Sequence, residues 1–322
     1  MTRHLIACAG LAAGLFTTTA LAETWNMATP YPDSTFHTEN IKQFAEEISQ
    51  ATKGDLKITV HSNASLFKHP QIKRAVQTGQ VQAGEVFMSL LGNEDAVFAA
   101  DSTPFLATNY DQAKKLWEAA RPHVEERLTG EKLILLYAVP WPPQGLYTSK
   151  PVDAVSDLKG RKFRAYNNTT SRLAVLTGMV PTQVEVPEIP QAFATGIVDA
   201  MITSPTTGVD SKAWDFVNYF YDIRAWIPKN MVIVNRRAFD GLSEETKQAV
   251  LNAAKAAEAR GWEMSQAEAE TMVQKLAENG LKVVTPSDEL MTGLKAIGDQ
   301  MVQEWLEATG EKGQDIITTY RK

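Results

Sequence analysis

The chain has 322 residues, 44% of them hydrophobic, and carries 32 Lys and Arg against 38 Asp and Glu for a formal charge of −6. That length can build two lobes of ordinary size, and the acidic balance argues against nucleic acid or an anionic lipid surface as the partner. The single cysteine, Cys8, rules out an internal disulfide.

The first 22 residues read as an export signal rather than as fold. Arg3 and His4 form a short basic start, residues 5–15 an apolar run, and Ala20-Leu21-Ala22 an A-x-A-like cleavage site before Glu23. The run is too short and too rich in small residues for a membrane span, so no direct membrane insertion is expected. Cys8 precedes most of the apolar run, which argues against a lipid anchor. Cleavage after Ala22 removes Cys8 and Arg3 and leaves a cysteine-free chain of net charge −7. Thiol catalysis and cysteine metal sites are thereby excluded.

Residues 24–28 read as a strand, 29–34 as its loop, and 37–52 as a helix with Ile41, Phe44, Ala45 and Ile48 on one face. Gly54 ends that helix and 56–61 form the next strand. This β–loop–α–β order implies a parallel sheet, and it opens the first loop at a strand's carboxyl end, as a ligand cleft requires. A short helix at 70–78 precedes a strand at 81–88 that contains Glu85. A glutamate in an apolar strand is either an edge carboxylate in water or a group in the cleft, with Phe87 on the same side. A helix at 111–128 and a buried strand at 133–139 follow. Pro140, Pro142 and Pro143 then interrupt the sheet pattern. Trp141 among them either packs locally or offers an aromatic wall to a ligand.

The second half turns on Asp157-Leu158-Lys159-Gly160-Arg161-Lys162-Phe163-Arg164, a loop and Gly turn leading into a short strand. Arg164 falls near the strand's carboxyl end, where its planar fork of donors suits a carboxylate, phosphonate or sulfonate, or else forms a surface salt bridge. Further elements are expected at 170–176 (helix), 182–186 (strand), 188–195 (helix) and 198–202 (strand), the last ending at Thr203, which can offer one hydrogen bond. Trp226 lies in the approach to a strand at 231–235. Ser243 caps a helix with Glu244 and Glu245 in its first turn. That helix runs to residue 278, about 50 Å, unless Gly261 breaks it. A strand at 281–285 and a helix at 287–309 complete the pattern.

These motifs, in this order and spacing, resemble the solute-binding proteins of TRAP transporters, the tripartite ATP-independent periplasmic systems. The resemblance rests on Phe36-His37, Phe44-Ala45-Glu46, Gly54-x-Leu56-Lys57-Ile58, Asp101-x-x-Pro104-Phe105-Leu106, the stretch ending at Arg164, Gly178 to Pro181, Pro187-Glu188 and Gly196-x-Val198-Asp199. It implies an α/β, two-lobed periplasmic binding protein with a ligand cleft between lobes and a long bracing helix. The implied division places 23–141 and 230–270 in lobe I and 142–229 and 271–322 in lobe II, with crossovers at 140–145 and 225–229. It further implies a small-molecule solute and the membrane subunits of a TRAP permease as partners. Ala200 and Thr203 depart from the family's usual Asp-Gly and Asn-Pro-like pairs, and no second arginine stands near Gln144.

No H-E-x-x-H, G-x-S-x-G, phosphate-loop or dinucleotide motif occurs, so no enzyme, metal or cofactor is expected. A small organic acid held by Arg164 is the default ligand, with Glu85, Phe87, Trp141, Thr203 and Trp226 as further candidate contacts. A carboxylate beside aromatic faces would also hold an ammonium group. A small amine or amino-acid-like zwitterion, such as an ethanolamine-like solute, is therefore the alternative, an uncharged polyol is third, and a secreted enzyme with an unrecognised site is the competing class.

Overall fold

Apolar strands that alternate with amphipathic helices build two sheets, each packed between helices. The computed structural model describes residues 23–322, so the expected signal peptide and its cleavage after Ala22 lie outside the described residues. The first sheet gathers β1 (Glu23–Ala28), β2 (Leu56–His61), β3 (Ala83–Phe87) and β4 (Leu133–Pro140), linked by α1 (Phe36–Ala51), α2 (His69–Gln77) and α3 (Tyr110–Gly130). The second begins with β5 (Gly145–Thr148), β6 (Lys162–Ala165), α4 (Asn168–Leu176), β7 (Val180–Gln183) and α5 (Ile189–Ala194). It continues with β8 (Ala200–Thr203), α6 (Pro205–Asp210) and β9 (Tyr219–Tyr221), after which the chain returns to the first sheet as β10 (Lys229–Asn235). Then come α7 (Arg236–Asp240), α8 (Glu244–Glu278), β11 (Lys282–Val284), α9 (Asp288–Thr309) and α10 (Glu311–Tyr320).

The strand orders are β2-β1-β3-β10-β4 and β11-β9-β5-β8-β6-β7. β1 runs parallel to β2 and β3, as the first β–α–β unit predicts, and β10 inserts antiparallel between β3 and β4. The chain crosses between sheets after β4 and before β10, and the two crossovers bind each other. Trp141 N donates to Pro228 O at 2.8 Å, Gln144 N to Trp226 O at 3.0 Å, and Ala225 N to Gln144 O at 2.9 Å. The prolines thus sit in a two-stranded ribbon joining the lobes, where a sheet interior would have rejected them. The lobes also touch across the cleft, where Asn167 Nδ2 donates to Ser89 Oγ at 2.7 Å and Thr35 Oγ1 to Asp210 Oδ2 at 3.2 Å.

Helix α8 is continuous through Gly261. A β-carbon there would collide with the Val139 side chain on β4 and stand 2.8 Å from Asn40 Nδ2 on α1. Glycine lets α8 approach both elements closely, and Asn40 Nδ2 uses the gap to donate to Ala257 O at 2.9 Å. Gly261→Ala should therefore destabilise the fold by a net of roughly 1–2 kcal/mol in urea denaturation, despite the ~1 kcal/mol that alanine gains in helix propensity. Equal stability would mean that α1 and β4 yield to the added methyl. The helix starts in the first core with Val250, Ala254 and Ala257 and ends in the second with Leu276, so it braces both lobes.

Two expectations need correction. The strand expected at 182–186 lies at Val180–Gln183, because parallel pairing with β6 sets its register from Lys162↔Val180 to Ala165↔Gln183. The C-terminal segment does not belong wholly to the second lobe. The helix expected at 287–309 ends at Thr309 as read, but Gly310, at φ +60°, leads into a further helix, α10, that was not expected. α10 then turns Ile316 and Ile317 into the first lobe's core beside Leu116 and Trp305. α9 spans the two, with Leu290 and Leu294 in the second core and Trp305 in the first.

Candidate functional site

The stretch ending at Arg164 is held in place by its own motif. Asp157 Oδ2 accepts from the Asp153 and Ala154 amides, and Gly160 makes the turn at φ +77°. Asp199 pins the next strand start, accepting from Lys162 N at 3.1 Å and donating its own amide to Lys162 O at 2.8 Å. Lys162 Nζ reaches Gly196 O at 2.7 Å. The Asp-Leu-Lys-Gly and Gly-x-Val-Asp motifs are thus one scaffold whose product is the position of Arg164.

Arg164 is 2% exposed, so it is no surface salt bridge. Its Nε donates to Val184 O at 2.9 Å, and its guanidinium lies over the Tyr166 ring at 4.8 Å. No carboxylate among the described residues forms an ion pair with it, and burial lowers its pKa to about 10. It remains charged at neutral pH, with its terminal nitrogens uncompensated. They border a narrow cavity between the lobes. Tyr31, His69, Phe87 and Trp141 line the cavity from the first lobe and its crossover, and Tyr166, Glu185 and Thr203 line it from the second. Phe87 and Tyr166 meet edge-on across it at 5.6 Å.

Of the residues expected from the sequence, Arg164, Phe87, Trp141 and Thr203 converge on this cavity, whereas Glu85 and Trp226 do not. Glu85 is 1% exposed on a central strand, so it is neither an edge carboxylate in water nor a cleft wall. It does not pair with Arg164. Its carboxylate accepts from Thr29 Oγ1, from Asn230 Nδ2 at 2.6 Å and from His37 Nδ1 at 3.3 Å. Burial opposes its charge, but these donors outweigh burial and hold its pKa below the usual glutamate value. Asn230 Oδ1 in turn accepts from Trp141 Nε1 at 3.0 Å and Tyr31 OH at 3.3 Å. Glu85 therefore sets two cavity walls from behind. Trp226 is fully buried, and its Nε1 donates to Tyr166 OH at 3.2 Å. It fixes the ring beneath Arg164 instead of touching a ligand.

A model of the DctP family, bacterial extracellular solute-binding protein family 7, matches residues 27–308. The chain belongs to this family. Two Bordetella pertussis extracytoplasmic solute receptors binding pyroglutamic acid are similar throughout. DctP7 is 50% identical with TM-score 0.92, covering 94% of this chain and 100% of its own. DctP6 is 44% identical with TM-score 0.92, covering 93% and 99%. A marine-metagenome TRAP solute binding protein specific for pyroglutamate is 41% identical with TM-score 0.91, covering 93% and 99%. This chain is a TRAP-type solute receptor with the two-lobed α/β fold that its motifs imply. Among the described residues, no helix is long and apolar enough to cross a membrane.

The receptor's site includes residues that the sequence reading passed over. Tyr166 follows Arg164 by two positions and so shares its face, a signal that strand periodicity carries. Tyr31 sits in the first loop, between Pro30 and Pro32, where a cleft residue is expected. His69 and Glu185 carried no such signal.

Proposed function

We propose that the receptor captures pyroglutamate in the periplasm and delivers it to the membrane subunits of a TRAP permease, after export and cleavage behind Ala22. The uncompensated guanidinium of Arg164 in a small, aromatic-lined cavity carries this reading. Its two free nitrogens suit one carboxylate in a bidentate pair. Tyr31, Phe87, Trp141 and Tyr166 offer aromatic faces to a flat lactam ring, and Glu185, half-buried beside Arg164, can accept the lactam N–H. The three relatives above 40% identity that bind pyroglutamate support the same choice. An amine ligand is disfavoured because Glu85, the carboxylate that would have held it, is committed to three protein donors. A secreted enzyme finds no support, since the relatives are solute receptors.

Calorimetric titration of the mature protein tests this. Pyroglutamate should bind one to one without turnover and raise the melting temperature, adding about 2.7 kcal/mol of stability at a hundredfold excess over Kd. Glutarate and ethanolamine should do neither. A thermal shift with proline or ethanolamine but not with pyroglutamate would make Glu185 an ammonium partner and sink the reading.

A further inference from the structure

His69 opens α2 on the first lobe and faces the same cavity as Arg164 on β6 of the second. The Phe87 backbone N–H donates to His69 Nε2 at 3.0 Å. That nitrogen is therefore unprotonated, and the neutral ring carries its proton on Nδ1. Protonating the ring would set Nε2–H against the Phe87 amide. Burial also favours the neutral form, bringing the pKa to about 4 although Glu85 lies near enough to pull the other way. The Tyr31 ring packs edge-on at 5.5 Å and further restrains the imidazole. Nothing among the described residues accepts from Nδ1, so β3 holds at the cavity a single donor that carries no charge.

We propose that His69 determines specificity by donating its Nδ1–H to the ring carbonyl of the ligand while Arg164 holds the carboxylate. The inference rests on the pyroglutamate reading and adds a selection rule to it. The two donors stand on opposite lobes, so a ligand with both acceptors bridges the cleft. A neutral donor suits a carbonyl, whereas a second carboxylate would find no second cation among the described residues that line the cavity and would face Glu185. Lactam and keto monocarboxylates are admitted, and dicarboxylates of similar length are rejected.

Three ligands separate the parts: pyroglutamate, 3-oxocyclopentanecarboxylate, which keeps the carbonyl but has carbon in place of the ring nitrogen, and cyclopentanecarboxylate, which lacks both groups. The wild-type protein should prefer the ketone to cyclopentanecarboxylate by about tenfold or more. His69→Phe should erase that preference and leave cyclopentanecarboxylate binding within about twofold. In 15N spectra of the histidine rings, His69 should show one protonated nitrogen, Nδ1, from pH 5 to pH 8. A preference surviving in His69→Phe, equal losses for both ligands, or an Nε2–H tautomer would overturn the assignment even with pyroglutamate bound. If the wild-type protein binds none of the three, the pyroglutamate reading falls and takes the carbonyl contact with it.

Discussion

Arg164→Ala should weaken pyroglutamate binding by roughly 30-fold to several thousand-fold, the equivalent of about 2–5 kcal/mol for truncating one partner of a buried charge pair. The ligand-free protein should melt at the wild-type temperature or slightly higher. These outcomes go together because the ligand-free fold buries a guanidinium without a counter-ion, against a desolvation that already lowers its pKa to about 10. What alanine removes from the empty receptor is one hydrogen bond to Val184 O and a cation–π contact with Tyr166. What it removes from the complex is the only cation that lines the cavity among the described residues. Arg164→Lys keeps the charge but not the fork, so it should recover part of the affinity. Unchanged affinity in Arg164→Ala would remove this residue from the site, and a large fall in melting temperature would make it a structural arginine.

Arg164 was legible in the sequence because its position depends on two short motifs that each show in the sequence, the turn at Asp157 to Gly160 just before it and the Gly-x-Val-Asp stretch whose Asp199 pairs with Lys162 across 37 positions. Glu85 was legible only as a residue in need of an explanation. Its partners Thr29 and Asn230 lie 56 and 145 positions away, and no local pattern says which groups a buried carboxylate will find. Trp226 shows the same limit, since an aromatic residue near a crossover can face a ligand or hold another ring, and only packing decides between them. His69 became a site residue through one backbone amide at the end of β3, which fixes its tautomer and carries no side-chain signature. The fold was more open to reading than the site because strand and helix periods are local, although the turn at Gly310 sent α10 where helix length alone could not predict.

Replacing Asp101 by asparagine and Lys229 by methionine together should raise stability at pH 8 by about 1–4 kcal/mol, while Lys229→Met alone should not. Lys229 starts β10 at the end of the return crossover and is fully buried. Its Nζ sits over the rings of Trp117 and Trp262 and lies 3.7 Å from Asp101 Oδ2, an oxygen with no hydrogen-bond partner among the described residues. Both charges have left water for an imperfect pairing. Burial accordingly raises the Asp101 pKa to about 6 and lowers that of Lys229. A carboxyl with a raised folded pKa contributes stability that is fully present below its unfolded value near 3.8 and is lost as pH rises through about 6. This group alone therefore makes the wild-type protein less stable at pH 8 than at pH 4. Taking away the lysine removes the one cation that favours the carboxylate and leaves it the Ser102 hydroxyl, which donates to Oδ1 at 3.1 Å, so Lys229→Met should move that loss to a higher pH window. The double variant has neither charge and should show no such slope. Urea denaturation at pH 5 and pH 8 measures both effects. A double variant less stable than wild type at pH 8 would mean that the pair stabilises the fold, and that the crossover between lobes is fastened by charge rather than by the packing of Trp117 and Trp262.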